Sequence, residues 1–173
     1  TEANLVYVDG DWYLMQDGQV VHETTLAQVN GTGTWYYVED GKVNKDFNGL
    51  FQYGNDWYYI EKGAVNSDYT GLAQYNDQWF YIEKGKLNWD YTGLAQHNNY
   101  WFYVEKGRLN WNYSGIVEYN NQWFYVQKGR LNWNYSGLGQ SGNEWYYIVR
   151  GRVNWNYTGL AQYNDQWFYI EKG

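Results

Sequence analysis

The stretch Gly71–Thr92 reads GLAQYNDQWFYIEKGKLNWDYT and contains two β-forming runs separated by the polar pair Asn76-Asp77. Asn and Asp tolerate the positive φ angles that two-residue hairpin turns require. The runs GLAQY and QWFYI therefore predict a β-hairpin in which Tyr75 lies opposite Gln78. Helix is disfavoured because Gly, Asn, Tyr and Trp dominate and no long amphipathic stretch is present.

The predicted pairing determines which side chains share a face of the hairpin. Alternate residues of a strand point to opposite sides, and opposed residues point to the same side. Leu72 is expected opposite Tyr81, and both should share a face with Trp79. The other face is expected to carry Ala73, Phe80 and Ile82.

This phrase recurs along the whole chain. Its anchor is a Trp followed by further aromatics, and the first step between anchors is 23 residues while every later step is 22. Units this short cannot bury their own apolar face and gain stability by stacking on neighbours. The predicted fold class is all-β, a β-solenoid of stacked β-hairpin repeats of about 22 residues. The anchors are Trp12, Trp35, Trp57, Trp79, Trp101, Trp123, Trp145 and Trp167.

The repeats predict a single array over residues 1–173, with eight units of which the first is divergent and the last truncated. The unit around Trp12 lacks the Tyr-Thr-Gly link that joins later units. Thr1 is not a start methionine, and the last unit stops directly after its Gly173. We therefore interpret the chain as a fragment of a longer surface protein.

Composition narrows the classes of partner. The formal net charge is −7, no basic run is present, and aromatic residues make up 23% of the chain. Because phosphate contacts supply most nucleic-acid affinity, this balance argues against a nucleic-acid partner. No apolar stretch approaches the ~20 residues of a membrane-spanning helix. The absence of Cys excludes disulfides and thiolate chemistry.

No constellation typical of an enzyme is visible. His22 and His97 are the only histidines, and His97 stands where other repeats carry Tyr. We interpret the recurring loop carboxylates as solvated turn charges that pair weakly with Lys or Arg across the turn. The sequence thus predicts no enzymatic activity, no catalytic residues, no metal site and no cofactor. The loop carboxylates are Glu61, Glu83, Glu105 and Glu171.

The aromatic side chains have two interpretations. Most should form the core, because a lone hairpin is marginal and buried aromatics supply the stabilisation. Some could instead be half-exposed in grooves between hairpins, so that every unit offers a copy of one site. Many weak identical sites suit a polymeric ligand, since linked sites can raise avidity by ~10²–10⁴.

The units resemble the cell-wall-binding repeats of Gram-positive surface proteins, of which choline-binding and glucan-binding repeats are branches. The stretch GLAQYNDQWFYIEKGKLNWDYTG matches the family's turn, aromatic triplet, loop Gly and terminal Thr-Gly. The resemblance implies a solenoid with ligand sites between neighbouring hairpins. In the choline-binding branch a site is an aromatic cage built from the Trp after Gly, the first triplet Trp and a Tyr of the adjacent repeat.

The cage maps onto this chain residue by residue. The triplet position falls on Trp79, Trp101, Trp123 and Trp145, and the Tyr position on Tyr81, Tyr103, Tyr125, Tyr147 and Tyr169. The Trp after Gly is replaced throughout, by Leu50, Leu72, Leu94, Ile116, Leu138 and Leu160. An additional loop Trp, at Trp89, Trp111, Trp133 and Trp155, closes the cage from another side or simply packs.

The resemblance implies a non-catalytic module of a secreted protein on the cell wall of a Gram-positive bacterium. The expected partner is a cell-wall polysaccharide or choline-bearing teichoic acid. The missing Trp removes a ring that a quaternary ammonium needs, which favours the polysaccharide. An α-glucan-binding module and a purely structural stalk remain alternatives. The predicted ligand-binding residues are Trp79, Tyr81, Trp89, Trp101, Tyr103, Trp111, Trp123, Tyr125, Trp133 and Trp145.

Overall fold

The chain is an array of antiparallel β-hairpins, each followed by a short third strand. The computed structural model describes residues 2–173, and this part of the chain contains no helix. The strands are numbered in chain order. The hairpins divide between two compact units, one ending at Asn88 and one running from Trp89 to Gly173.

Each repeat contributes a strand before the hairpin turn, a strand after it and a two-residue strand beyond the loop. The strands before the turn are β1 (Asn4–Val8), β4 (Thr25–Val29), β7 (Gly49–Tyr53), β10 (Gly71–Tyr75), β13 (Gly93–His97), β16 (Gly115–Tyr119), β19 (Gly137–Ser141) and β22 (Gly159–Tyr163). The strands after it are β2 (Asp11–Gln16), β5 (Thr32–Glu39), β8 (Asp56–Glu61), β11 (Gln78–Glu83), β14 (Tyr100–Glu105), β17 (Gln122–Gln127), β20 (Glu144–Val149) and β23 (Gln166–Ile170). The two-residue strands are β3 (Gln19–Val20), β6 (Lys42–Val43), β9 (Ala64–Val65), β12 (Lys86–Leu87), β15 (Arg108–Leu109), β18 (Arg130–Leu131) and β21 (Arg152–Val153).

The hairpin turns adopt the backbone that their residues favour. Asn76 and Asp77 have φ angles of 49° and 62°, as a type I′ turn requires. The Gly54-Asn55 turn differs, because only Gly54 has a positive φ, of 63°. A positive φ at the first central residue alone is typical of a type II′ turn.

The predicted register is confirmed. Tyr75 pairs with Gln78 and Leu72 with Tyr81, and the same alignment recurs in the other later hairpins. The second hairpin is irregular, with a register shift between Ala27 and Val29. This irregularity falls within the single 23-residue step between anchors.

In a hairpin with neighbours on both sides, both faces contribute to the core. We call face A the side that carries the triplet Trp and face B the opposite side. Leu50 of face A packs against Phe80 and Ile82 of face B of the next hairpin. In the second unit, Leu94 packs against Phe124 in the same way. Full burial of each such side chain stabilises the stack by ~1.5–3 kcal/mol.

The loop glycine ties each repeat to the one before it. Gly85 has a φ of +79°, and its N–H donates to the carbonyl of Tyr69 at 2.8 Å. Its own carbonyl accepts a hydrogen bond from the N–H of Tyr59 at 2.9 Å. A Cβ at this position would lie 2.5 Å from the carbonyl oxygen of Asn66. Only Gly therefore combines this backbone with so close an approach.

The Tyr-Thr-Gly link is also explained by hydrogen bonds. Thr70 Oγ1 accepts from the N–H of Lys84 at 3.0 Å. The Tyr69 hydroxyl donates to the carbonyl of Leu72 at 2.5 Å. The ring passes over Gly71, where an added Cβ would lie 3.2 Å from the hydroxyl oxygen. The Tyr69 and Thr70 side chains thus fix the link to the hairpin that follows it.

The predicted fold class, an all-β solenoid of stacked β-hairpin repeats, is confirmed within each unit. Successive repeats are also joined by backbone pairing, because the two-residue strand of one repeat pairs with the second hairpin strand of the preceding one. Tyr58 pairs with Lys86 in the first unit, and Phe102 pairs with Arg130 in the second. The single array over residues 1–173 stays a prediction.

Candidate aromatic binding sites between hairpins

A Trp–Tyr wedge recurs between neighbouring hairpins, close to their turns. It consists of the first triplet Trp, on face A of one hairpin, and the Tyr just before the turn, on face B of the next. The ring planes are inclined by 48–61°, so the rings form two walls instead of a closed stack. The wedges are Trp35–Tyr53, Trp57–Tyr75, Trp101–Tyr119 and Trp145–Tyr163, with ring centroids 5.4, 4.8, 4.9 and 4.8 Å apart.

The wedge at Trp101 opens into a cavity of about 340 Å³ with a third aromatic wall. Trp133, from the loop of the following repeat, supplies that wall and is 40% exposed. Leu94 and Leu131 form the apolar floor. Asn120 and Gln122 add polar groups at the turn.

An equivalent cavity of about 230 Å³ lies at Trp35 in the first unit. Tyr53 again forms the second wall, and Leu26 again lies on the floor. The loop position is Ser67 here, so the third aromatic wall is missing. The same positions of different repeats thus line the same kind of cavity, which makes the site a property of the repeat.

The wedge of Trp145 also borders a cavity, of about 230 Å³, with Tyr163 and Leu138. Trp123 lacks a wedge, because Ser141 occupies the Tyr position. The Ser141 hydroxyl instead accepts a hydrogen bond from the N–H of Ile116 at 3.0 Å. The loop residue Trp155 lies edge-on to Trp123, with centroids 6.0 Å apart.

Two of the predicted cage tyrosines, Tyr103 and Tyr125, pack on tyrosines of the link, whereas Tyr169 of the last hairpin is 67% exposed. Tyr103 is buried and stacks on Tyr113 of the link, with centroids 3.9 Å apart and planes 25° apart. Tyr125 packs on Tyr135 with centroids 4.5 Å apart and planes inclined by 35°. Burial raises the pKa of the Tyr103 hydroxyl, with smaller contributions from Tyr113 and Glu105. Tyr81 holds the equivalent register position opposite Leu72 in the first unit.

The loop tryptophans are half-exposed and pack edge-on against the second triplet residue of their own repeat. Trp111 lies 5.6 Å from Phe102 and Trp133 lies 5.6 Å from Phe124. Trp89 and Trp111 are 41% and 50% exposed. Both interpretations of the loop Trp are therefore compatible with Trp133, which packs on one ring and lines the cavity with its free face.

The structure brings together Trp101 and Trp133, which were predicted as ligand residues. The sequence reasoning missed the Tyr before the turn, for example Tyr119. Its signal was present, since Tyr recurs beside the turn at positions 53, 75, 119 and 163. The alternation along a strand predicts which residues share a face of one hairpin. It does not predict which face of that hairpin contacts the next one, so this Tyr was not predicted.

Basic residues of the two-residue strands lie beside these cavities. The guanidinium carbon of Arg152 is 5.3 Å from the Trp133 ring centre and 5.7 Å from that of Phe124. In the first unit, Lys86 Nζ lies 2.9 Å from Asp56 Oδ2 beside the Trp35 cavity. Hydrogen bonding to Asp56 raises the pKa of this exposed amine.

The loop carboxylates have a different partner from the one predicted. The Glu61 carboxylate accepts a hydrogen bond from the Asn66 side chain at 2.8 Å, and Glu105 accepts one from Asn110 at 2.9 Å. Gln127 takes the same role towards Asn132. These Asn residues lie where the chain bends from the loop into the link. The carboxylates therefore order the loop instead of pairing with Lys or Arg.

Among residues 2–173, no group of three or more His, Asp or Glu side chains is arranged to hold a metal ion. The same range includes no helix that is long and apolar enough to cross a membrane.

The choline-binding repeat family model matches eight successive segments of the chain, at residues 4–21, 23–44, 46–66, 68–88, 90–110, 112–132, 134–154 and 156–173. No curated protein sequence matches. Among solved structures, choline binding protein F from Streptococcus pneumoniae is 23% identical, with a TM-score of 0.38 over 96% of this chain and 57% of that one. CbpJ from Streptococcus pneumoniae TIGR4 is 22% identical, with a TM-score of 0.33 over 98% and 50%. The chain thus spans about half the length of these two proteins.

An alternansucrase in complex with isomaltononaose is also similar, with 17% identity and a TM-score of 0.39 over 99% of this chain and 13% of that one. These identities and TM-scores are too low for any ligand to be transferred from the solved structures to this chain. The family match, which covers nearly every residue, is the comparison that identifies the repeats.

Proposed function

Since the chain belongs to the choline-binding repeat family, we propose that it is a non-catalytic module that attaches a larger protein to the cell wall of a Gram-positive bacterium. The observation that carries this proposal is the recurrence of the Trp–Tyr wedge between successive hairpins. Each wedge leaves two ring faces partly open to solvent. A stalk would have no need of open rings at equivalent positions of successive repeats.

A cell-wall polysaccharide is the ligand we favour. Flat Trp and Tyr rings provide apolar faces for sugar rings, and their N–H and O–H groups remain available at the edges. Asn120 and Gln122 at the Trp101 cavity supply amide donors and acceptors that match sugar hydroxyls. A polymer can occupy several wedges at once, so weak individual contacts combine into useful avidity.

The walls of the Trp101 cavity also disfavour a small cation. Leu94, at the position of the family's Trp, is buried at 2% exposure and contributes no ring face. Arg152 already lies against Trp133 and would repel a quaternary ammonium at the same ring. The positive charge therefore opposes the attraction that an aromatic cage offers to a cation.

Choline on teichoic acid is the second candidate, and two observations favour it. The repeats match the choline-binding family, and Trp101, Tyr119 and Trp133 present three rings around one cavity. A cation gains ~0.5–2 kcal/mol from a good ring contact. In this case Trp133 replaces the ring that the family draws from the Trp after Gly.

Retention on purified cell walls tests the proposal. We expect the chain to bind walls, and a variant with Ala at Trp57, Trp101 and Trp145 to be retained at least tenfold less, because three wedges lose a wall. Tyr7→Ala is the matched control, since Tyr7 is an exposed ring outside the wedges. Equal retention of the triple variant and the control would show that the wedges do not bind the wall, and no retention of the unaltered chain would leave only a structural stalk.

The same assay separates the ligands. Elution by millimolar choline would establish the choline candidate, whereas elution by wall polysaccharide but not by choline supports the one we favour. Binding to α-glucan alone would identify a glucan module. Release of soluble sugar from the walls during incubation would contradict the non-catalytic assignment.

A further inference from the structure

Basic residues are distributed unevenly between the two units. Residues 1–88 contain five Lys or Arg and thirteen Asp or Glu, whereas residues 89–173 contain seven and six, giving net charges of −8 and +1. In the second unit every basic residue flanks a loop Gly. They are Lys106, Arg108, Lys128, Arg130, Arg150, Arg152 and Lys172.

In the first unit the basic residue of the two-residue strand is neutralised by an aspartate. Lys86 lies 2.9 Å from Asp56, and Lys42 lies 3.2 Å from Asp11. Both aspartates begin the second strand of a preceding hairpin. At this position of the repeat, the aspartate is therefore the internal counter-ion of the basic side chain.

In the second unit that counter-ion is replaced. Tyr100 and Gln122 stand where Asp56 stands in the first unit, at the start of β14 and β17. Arg130 lies over the Tyr100 ring, with its guanidinium carbon 3.8 Å from the centroid. Within the described residues, neither Arg130 nor Arg152 has a carboxylate within 4.0 Å.

Both guanidinium groups line cavities that share Trp101 and Trp133. Arg130 borders a cavity of about 460 Å³ together with Tyr100 and Gln127. Arg152 borders the 340 Å³ cavity on the other side of the Trp pair. A guanidinium held against a ring keeps its N–H edge free to donate two parallel hydrogen bonds to a carboxylate or phosphate.

We propose that Arg130 and Arg152 make the second unit a receptor for an acidic polysaccharide. Its sugar rings lie on Trp101 and Trp133, and its carboxylate or phosphate oxygens accept hydrogen bonds from the two guanidinium groups. The inference rests on the proposed function and names the substrate class of the same site. The two arginines stand at equivalent positions of successive repeats, which suits a polymer with regularly spaced charges.

Binding of three defined polymers tests the inference: oligogalacturonate, which bears carboxylates, poly(glycerol phosphate), which bears phosphodiesters, and neutral dextran. We expect at least one acidic polymer to bind at least tenfold more tightly than dextran, and its identity distinguishes carboxylate from phosphate. The double variant Arg130→Gln and Arg152→Gln should lose that preference. Lys42→Gln is the matched control, because it removes the equivalent but ion-paired charge at a position that borders none of the cavities described above.

A second variant leaves both arginines in place. Gln122→Asp restores a carboxylate where Asp56 stands, and we expect it to occupy Arg152 and weaken acidic-polymer binding several-fold. Circular dichroism and the melting temperature should show that each variant is folded. Equal binding of acidic and neutral polymers, or Arg variants that behave like Lys42→Gln, would overturn the inference.

The two proposals fail differently. If the triple Trp variant loses wall binding while the Arg variants keep it, the wall-binding module stands and the acidic ligand is excluded. If neither set of variants affects wall retention, both proposals are wrong.

Discussion

The loop glycine Gly85 should not tolerate a methyl group, whereas its counterpart Gly18 should tolerate one far better. The two residues have nearly the same φ, +79° and +78°, so Ala carries the same left-handed backbone penalty of ~1–2 kcal/mol at both. They differ in what surrounds them. A Cβ on Gly85 would lie 2.5 Å from the Asn66 carbonyl oxygen, while a Cβ on Gly18 would have no atom within 4 Å.

The clash at Gly85 also displaces two hydrogen bonds between repeats. Its N–H bond to Tyr69 and its carbonyl bond from Tyr59 measure 2.8 and 2.9 Å. Each contributes about 1 kcal/mol, so the free energy of unfolding should fall by ~3–4 kcal/mol for Gly85→Ala. Gly18→Ala should cost only the backbone penalty of ~1–2 kcal/mol.

Urea unfolding followed by tryptophan fluorescence measures the difference, and hydrogen exchange localises it. The amide of Tyr59 should lose protection in Gly85→Ala but keep it in Gly18→Ala, because only the first variant disturbs its acceptor. If the two variants were equally destabilised, the close approach of the loop to the preceding repeat would not be what selects Gly at this position.

Three further results are expected. Tyr113→Phe should destabilise the second unit by about 1 kcal/mol, because it removes one hydrogen bond of the hydroxyl but keeps the stacked ring. Tyr113→Ala should lower the free energy of unfolding by ~3–5 kcal/mol. Equal urea midpoints of the two variants would refute this. Amides of the divergent hairpin around Trp12 should exchange faster than those around Trp101, and slower exchange at Trp12 would contradict it. Burial raises the pKa of the Tyr69 and Tyr103 hydroxyls above 10.0. Their contribution to the free energy of unfolding is therefore complete below pH 10 and should decline above it, because ionisation then favours the unfolded chain. Urea midpoints of unfolding that do not fall between pH 9 and 11 would count against this prediction.

The hairpins could be predicted from the sequence because their determinants are local. A two-residue turn of Asn and Asp fixes the register, and the register fixes the faces. That is why Leu72, Trp79 and Tyr81 were placed correctly on one face. The loop Gly and the Thr-Gly link were recognised as recurring signals, although their bonding partners in the preceding repeat were not.

The candidate site was harder to predict because it is built from different repeats. The path of the link determines which face of one hairpin packs against which face of the next. The residue pattern of a single repeat does not predict that path. The resemblance to a known cage implies Tyr103 as a cage residue, and this ring is buried against Tyr113. The open ring beside Trp101 is instead Tyr119, on the next hairpin.

The distribution of one cavity over several repeats limits how the chain can be shortened. The Trp101 cavity takes Trp101 from one repeat, Tyr119 and Trp133 from the next, and Arg152 from the one after that. An array of n repeats can therefore complete at most n − 2 such cavities, and the shortest fragment that contains a complete one comprises three consecutive repeats. Deleting one internal repeat in frame would remove one cavity and rejoin the remaining repeats. The number of repeats would therefore change the avidity for a polymer without changing the contacts within any single cavity.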